Sequence, residues 1–251
     1  MTASPETETR TDPEISFLSH FVELRKRLIR SVVVLLVAFV ALANFSEVLM
    51  AFIEAPVLKY VKKLQYDTMT DPLVTHLTIS FYAALFVAMP YIFFEIWLFI
   101  RPALYKRERN LGLVFLLFAY PLFIGGASFC YWVMFPLAFD FFLHFDPTLE
   151  ASLRVGDYLS FTAHMMMVFG LVFEMPLVVY FLARLGLVTA VFLSRIRRYA
   201  IVFIFIAAAI LTPSTDVLSQ MLLAGPLLVL YEVSIIVARF AGNPKPRTEP
   251  D

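Results

Sequence analysis

The sequence has one cysteine, eight glycines and four histidines in 251 residues. A single cysteine, Cys130, excludes a disulfide framework and any cysteine-based metal site. It lies inside an apolar run and reads as a small buried apolar side chain. His20, His76, His144 and His164 are scattered along the chain, and no His-x-x-x-His or Cys-x-x-Cys pair offers metal-ligand spacing. There is no Gly-rich phosphate loop and no nucleophile elbow. His164 precedes Met165, Met166 and Met167, but a methionine run on a membrane helix reads as packing rather than as a copper site. No catalytic set, metal or cofactor is expected, and the chain does not read as an enzyme. Charge is also scarce, at 16% of residues with a net charge of zero, so no global field argues for nucleic acid.

What remains is apolar. Hydrophobic residues make up 61% of the chain, 27 of them phenylalanine, and the mean hydropathy is +0.81. That composition belongs to polytopic membrane proteins. The expected fold is all-α, an integral membrane protein with six transmembrane helices, at about 29–47, 75–100, 111–135, 158–183, 199–211 and 217–238. Residues 1–16 are polar and acidic, lack the features of a signal peptide and read as a disordered tail, as do 241–251. Between them, 17–240 form one domain.

Ser16 reads as a helix N-cap. Phe17, Phe21, Leu24 and Leu28 follow at helical spacing, predicting a helix that lies along the membrane surface and runs into the first span. The stretch 48–74 predicts a short amphipathic helix, 136–156 an aromatic and acidic loop, and 184–198 a basic loop. Pro90, Pro121, Pro176 and Pro226 fall inside spans and predict kinks. The fifth span has about 13 residues, roughly 20 Å of helix against a hydrocarbon core of roughly 30 Å. Local thinning of the bilayer or a sunken Pro213 turn would accommodate it.

The basic residues fix an orientation. Sixteen of the 20 lysines and arginines fall in the N-terminal segment 1–30, the loops 101–109 and 184–198, and the tail from 239. Four lie on the other side. The positive-inside rule therefore places both termini in the cytoplasm.

Two of these basic segments retain an acid: FVELRKRLIR at 21–30 has Glu23, and FIRPALYKRERN at 99–110 has Glu108. Glu23 has Lys26 and Arg27 at i+3 and i+4, the spacing of a surface ion pair, and Glu108 sits between Arg107 and Arg109 as a solvated charge would. Alternatively, both carboxylates face a partner bearing guanidinium groups, which carboxylates grip bidentately while the surrounding basic residues repel other cations. Within the spans, Glu174 is deepest, roughly 15 Å from the end of its helix. An unpaired Glu there is either protonated or faces a water-filled recess, and the plainer reading is an interhelical hydrogen bond. Glu95 and Glu232 read as interfacial, and Gln220 as a possible helix–helix contact.

The motifs SHFVELRKRL (19–28), EAPVLKYV (54–61), FIRPALYKRER (99–109), FPLAFDFF (135–142), YLSF (158–161), FGLVFEMP (169–176) and LTPSTDVLSQ (211–220) resemble the TatC family. TatC is the six-span receptor subunit of the twin-arginine protein translocase. The resemblance implies a receptor that recognises twin-arginine signal peptides and exports folded proteins with single-span TatA and TatB partners, in an oligomeric complex in the inner membrane. It implies signal-peptide binding by Glu23, Arg25, Phe99, Pro102, Leu104 and Glu108. It implies partner contact by Pro56, Glu174, Asp216 and Gln220. A proton-coupled transporter of a small solute remains as the alternative, with Glu174 as its proton site, although no internal repeat supports it.

Overall fold

The computed structural model describes residues 13–59, 68–101, 111–138, 154–211 and 217–241. Pro102, Leu104, Glu108 and Asp216 lie outside the described residues, as do 60–67 within the segment 48–74 and most of the segment 136–156.

Among the described residues the regular elements are helices: α1 (Pro13–Ala43), α2 (Ser46–Glu54), α3 (Asp71–Ile100), α4 (Leu111–Phe129), α5 (Val155–Phe173), α6 (Met175–Arg184), α7 (Ala190–Leu211) and α8 (Val217–Phe240). A 3-10 turn (Val57–Lys59) follows α2, and a π-helical turn (Cys130–Met134) continues α4. Four helical stretches are long and apolar enough to cross a membrane: Asp71–Ile100, Phe115–Ala138, Val155–Arg184 and Leu223–Phe240. Phe21–Ala43 with Ser46–Glu54 makes a fifth, bent by 82°. α7 does not meet the same measure, because Arg195, Arg197 and Arg198 occupy its first half, leaving only the apolar run that starts at Tyr199. The segment 184–198 is thus not wholly a loop. Thr189 caps a helix there, its Oγ1 accepting the Phe192 N–H at 3.1 Å.

The interruptions have local causes. At Asn44 the side-chain amide donates to the carbonyls of Val40 (3.2 Å) and Ala41 (3.4 Å), satisfying groups that the end of α1 leaves free. The chain then turns into α2, a break that no proline or glycine announces. Between α5 and α6 the cause is Pro176, which has no N–H to give and crowds the preceding turn. Pro90, Pro121 and Pro226 leave their helices unbroken. Membrane helices tolerate such residues when neighbours satisfy the freed carbonyls. Helix α6 ends in a Schellman motif: Gly186 has φ 73°, its N–H donates to Ala183 O, and the Leu187 N–H donates to Leu182 O.

Packing joins both consecutive helices and helices one element apart. α1 lies against α3, α3 against α5, α4 against α5, and α8 against both α6 and α7. The α4–α5 crossing is closest where glycine removes the side chain. A Cβ on Gly126 would sit 2.5 Å from the Phe169 carbonyl oxygen, and one on Gly170 would sit 2.6 Å from the Phe123 ring. This is the small-residue approach expected where lipid supplies no hydrophobic drive.

Candidate functional site

Helix α1 inverts the pattern of a soluble amphipathic helix. Its half-buried positions, Glu23, Arg27, Ser31, Val34, Leu35 and Ala38, recur at three-to-four spacing and begin polar. The apolar face expected from the sequence, Phe21, Leu24 and Leu28, is 55, 42 and 62% exposed. A polar stripe turned to the protein with apolar residues turned outward is what a lipid surround selects, because buried polar groups there find partners only in the protein.

Those partners come from α3. Arg27 Nη1 donates to Glu95 Oε2 at 2.9 Å, across 68 residues of sequence. The same guanidinium donates through Nε (3.2 Å) and Nη2 to Glu23 Oε1, one helical turn back. Tyr91 Oη donates to Glu95 Oε1 at 2.8 Å, and Arg30 Nη1 lies 3.9 Å from that oxygen. Burial is graded: the side chains of Glu95, Arg27 and Glu23 are 5, 15 and 39% exposed. Glu95 is therefore not a solvated interfacial charge, as its position in the sequence suggests. It is the buried base of an Arg-centred network that sequence reading missed. The one local signal for it is Tyr91, a hydrogen-bond donor at i−4.

Beside this network a groove of about 510 Å³ opens between α1 and α3. Arg27, Glu95 and Phe99 line it together with Leu24, Leu28 and Ile96. Of the residues expected to bind a signal peptide, the structure brings Glu23 and Phe99 to this end of the α1–α3 pair. Arg25 is exposed, about 200° around α1 from Glu23. Pro102, Leu104 and Glu108 continue the chain beyond α3, outside the described residues.

The residues expected to contact partners are dispersed. Pro56 is buried between α2 and the 3-10 turn. Glu174 occupies the break between α5 and α6, is 6% exposed, and neither of its carboxyl oxygens has a hydrogen-bond partner. It is sealed inside the helices rather than turned to an open recess. Gln220 Nε2 donates to Phe205 O at 2.7 Å, joining α8 to α7, so it is a helix–helix contact in this chain. Asp216 is outside the described residues. Glu232 pairs with Arg197 at 2.9 Å, both half exposed, as an interfacial acid would. Among the described residues no group of His, Cys, Asp and Glu could hold a metal ion.

Residues 19–226 match the family model of the Sec-independent protein translocase protein, TatC. The chain belongs to this family. It is 38% identical over 245 residues to the Sec-independent protein translocase protein TatC of Desulforapulum autotrophicum, covering 96% of this chain and 90% of that protein. The TatC of Campylobacter jejuni is 37% identical, covering 91% of this chain and 95% of the relative. The fold is similar to a crystal structure of the twin-arginine translocase receptor TatC, with a TM-score of 0.81 and 36% identity over 88% of this chain and 99% of that one. Composition, apolar helices and family agree on a multi-pass, all-α membrane protein of a protein translocase, matching the six-span TatC fold. They do not favour a solute transporter.

Proposed function

We propose that this chain is the receptor subunit of a twin-arginine translocase, and that it binds the paired arginines of signal peptides at the end of α1 and α3 bearing Glu23. The observation that carries the reading is Glu23 itself. It is a part-exposed carboxylate at the rim of an apolar groove, and it already holds a guanidinium. A site that accommodates Arg27 has the geometry to accommodate a peptide arginine, and the adjoining apolar wall suits the apolar chain that follows one. In this reading Glu108 supplies the second carboxylate, while Arg25, Phe99, Pro102 and Leu104 complete the surface. The protein binds and transmits rather than catalyses, and needs no cofactor.

The same reading places the chain in the inner membrane with both termini and the 101–109 loop in the cytoplasm, supported by the bias of basic residues. Single-span TatA- and TatB-type partners would engage it around Pro56, Glu174, Asp216 and Gln220 in an oligomeric complex, which for the enclosed Glu174 and the bonded Gln220 requires the helices around them to part. The sequence predicts tails at 1–16 and 241–251 with a helix start at Ser16, but α1 begins at Pro13 and Ala241 is buried, so the domain would take in 13–241.

A double-mutant cycle tests the peptide site. Glu108→Gln keeps the shape but removes the charge-assisted bond, weakening a twin-arginine peptide by about 1.5–3 kcal/mol. If Glu108 contacts a peptide arginine, the loss disappears when that arginine is already glutamine. Strictly additive losses would overturn the direct contact.

A further inference from the structure

One oxygen of Glu23, Oε1, is occupied before any peptide arrives. Two nitrogens of Arg27 converge on one oxygen of Glu23, and the third nitrogen is held by Glu95. The two carboxylates differ in access. Glu95 is buried and braced by Tyr91, whereas Glu23 keeps 39% of its side chain exposed.

We propose that Arg27 is a built-in competitor for Glu23, which an incoming peptide guanidinium displaces while Glu95 keeps the Arg27 charge paired. This rests on the peptide site proposed above. The exchange is physically cheap at its outer half. Arg27 gives up its bonds to the exposed acid but keeps the 2.9 Å bond to the buried one, so no charge is left bare inside the protein. Glu95 is thus a positioning residue that draws Arg27 away from Glu23. The arrangement also sets specificity. To take Oε1 of Glu23 a ligand must replace a guanidinium that donates two N–H groups to that oxygen, and an ammonium, having no planar fork, matches that pair of donors poorly. A peptide with paired lysines then competes poorly against Arg27, where it would suffer less against an empty carboxylate.

The test uses the full-length protein in detergent or nanodiscs and a fluorescently labelled synthetic peptide with paired arginines, alongside its paired-lysine analogue. Glu95→Gln removes the charge that holds Arg27 inward, leaving Arg27 to Glu23. Arginine-peptide affinity should fall by about ten- to a hundredfold, the range of one charge-assisted hydrogen bond. Arg27→Lys keeps the charge and the fold but weakens the competitor. It should raise affinity severalfold and narrow the preference for arginine over lysine. In the Arg27→Lys background, Glu95→Gln should cost far less than it does alone.

A merely structural ion pair would give losses in both single variants, so the opposite signs are the discriminating result. Affinity unchanged in Glu95→Gln, or unchanged or lowered in Arg27→Lys, overturns the proposal. Glu23→Gln run in the same assay separates the two levels of failure. If it binds like wild type, the peptide site itself is wrong. If it binds weakly while Glu95→Gln and Arg27→Lys show none of these shifts, only the exchange is wrong.

Discussion

Tyr158 Oη donates to the carbonyl of Ile53 at 3.1 Å, joining the start of α5 to the end of α2 across 105 residues of sequence. Tyr131 does the same for the Phe52 carbonyl, and its ring stacks on Phe52 with centroids 4.8 Å apart. Both acceptors belong to the last turn of a nine-residue helix, where intrahelical donors run out. Val57, fully buried just beyond, completes the dock against Ile79 and Leu159. α2, turned 82° from α1, is thus held by two hydroxyls together with the apolar packing of Met50, Ile53 and Val57.

Tyr158→Phe and Tyr131→Phe should therefore each destabilise the folded protein by about 1–3 kcal/mol, the range for leaving a buried acceptor without its donor. The loosening should be local. Limited proteolysis of segment 44–70 in detergent should accelerate in both variants before the thermal midpoint moves much. Equal protection in wild type and both variants would mean that packing alone holds α2.

The glycine pair at 125 and 126 offers an internal control. A Cβ at Gly126 meets the backbone of α5, which cannot rotate away, whereas one at Gly125 meets nothing within 4 Å. Gly126→Ala should separate α4 from α5 and lower the thermal midpoint, at a cost of about 1–3 kcal/mol. Gly125→Ala should be neutral. Two variants of equal stability would contradict the observed crossing.

Glu174 separates stability from function. Its carboxyl oxygens are buried without partners, so Glu174→Leu should leave folding unimpaired or improve it by about 1–3 kcal/mol. Under the proposed partner role, the same variant should assemble poorly with single-span partners and transport folded cargo slowly, with Glu174→Gln milder. Wild-type transport by both variants would reduce Glu174 to a packing residue.

Orientation is testable by single-cysteine labelling. Cys130 is 1% exposed, and Cys130→Ala gives a clean background with little loss of volume. Tyr105→Cys should label from the cytoplasmic face and Lys62→Cys from the opposite one. Label reaching residue 105 only from outside would overturn the orientation.

Short-range pattern and composition carry part of this architecture. Apolar runs of span length gave the all-α membrane class, and the polar interruptions between them gave the element order. The motifs around Glu23, Phe99 and Glu174 pointed to the TatC family, which the family match then established. Helix extent was less legible where Arg195, Arg197 and Arg198 sit within α7, because a helix capped by Thr189 tolerates charges that a hydropathy pattern reads as loop. The bend at Asn44 was not legible, since its cause is an amide turning back on its own helix. The burial of Glu95 against Arg27, the enclosure of Glu174 and the bond from Gln220 to α7 arise only in the folded chain. Those facts depend on which helix faces which. That pairing is set by packing between residues far apart in the chain, such as Gly126 against Phe169, and no local period encodes it.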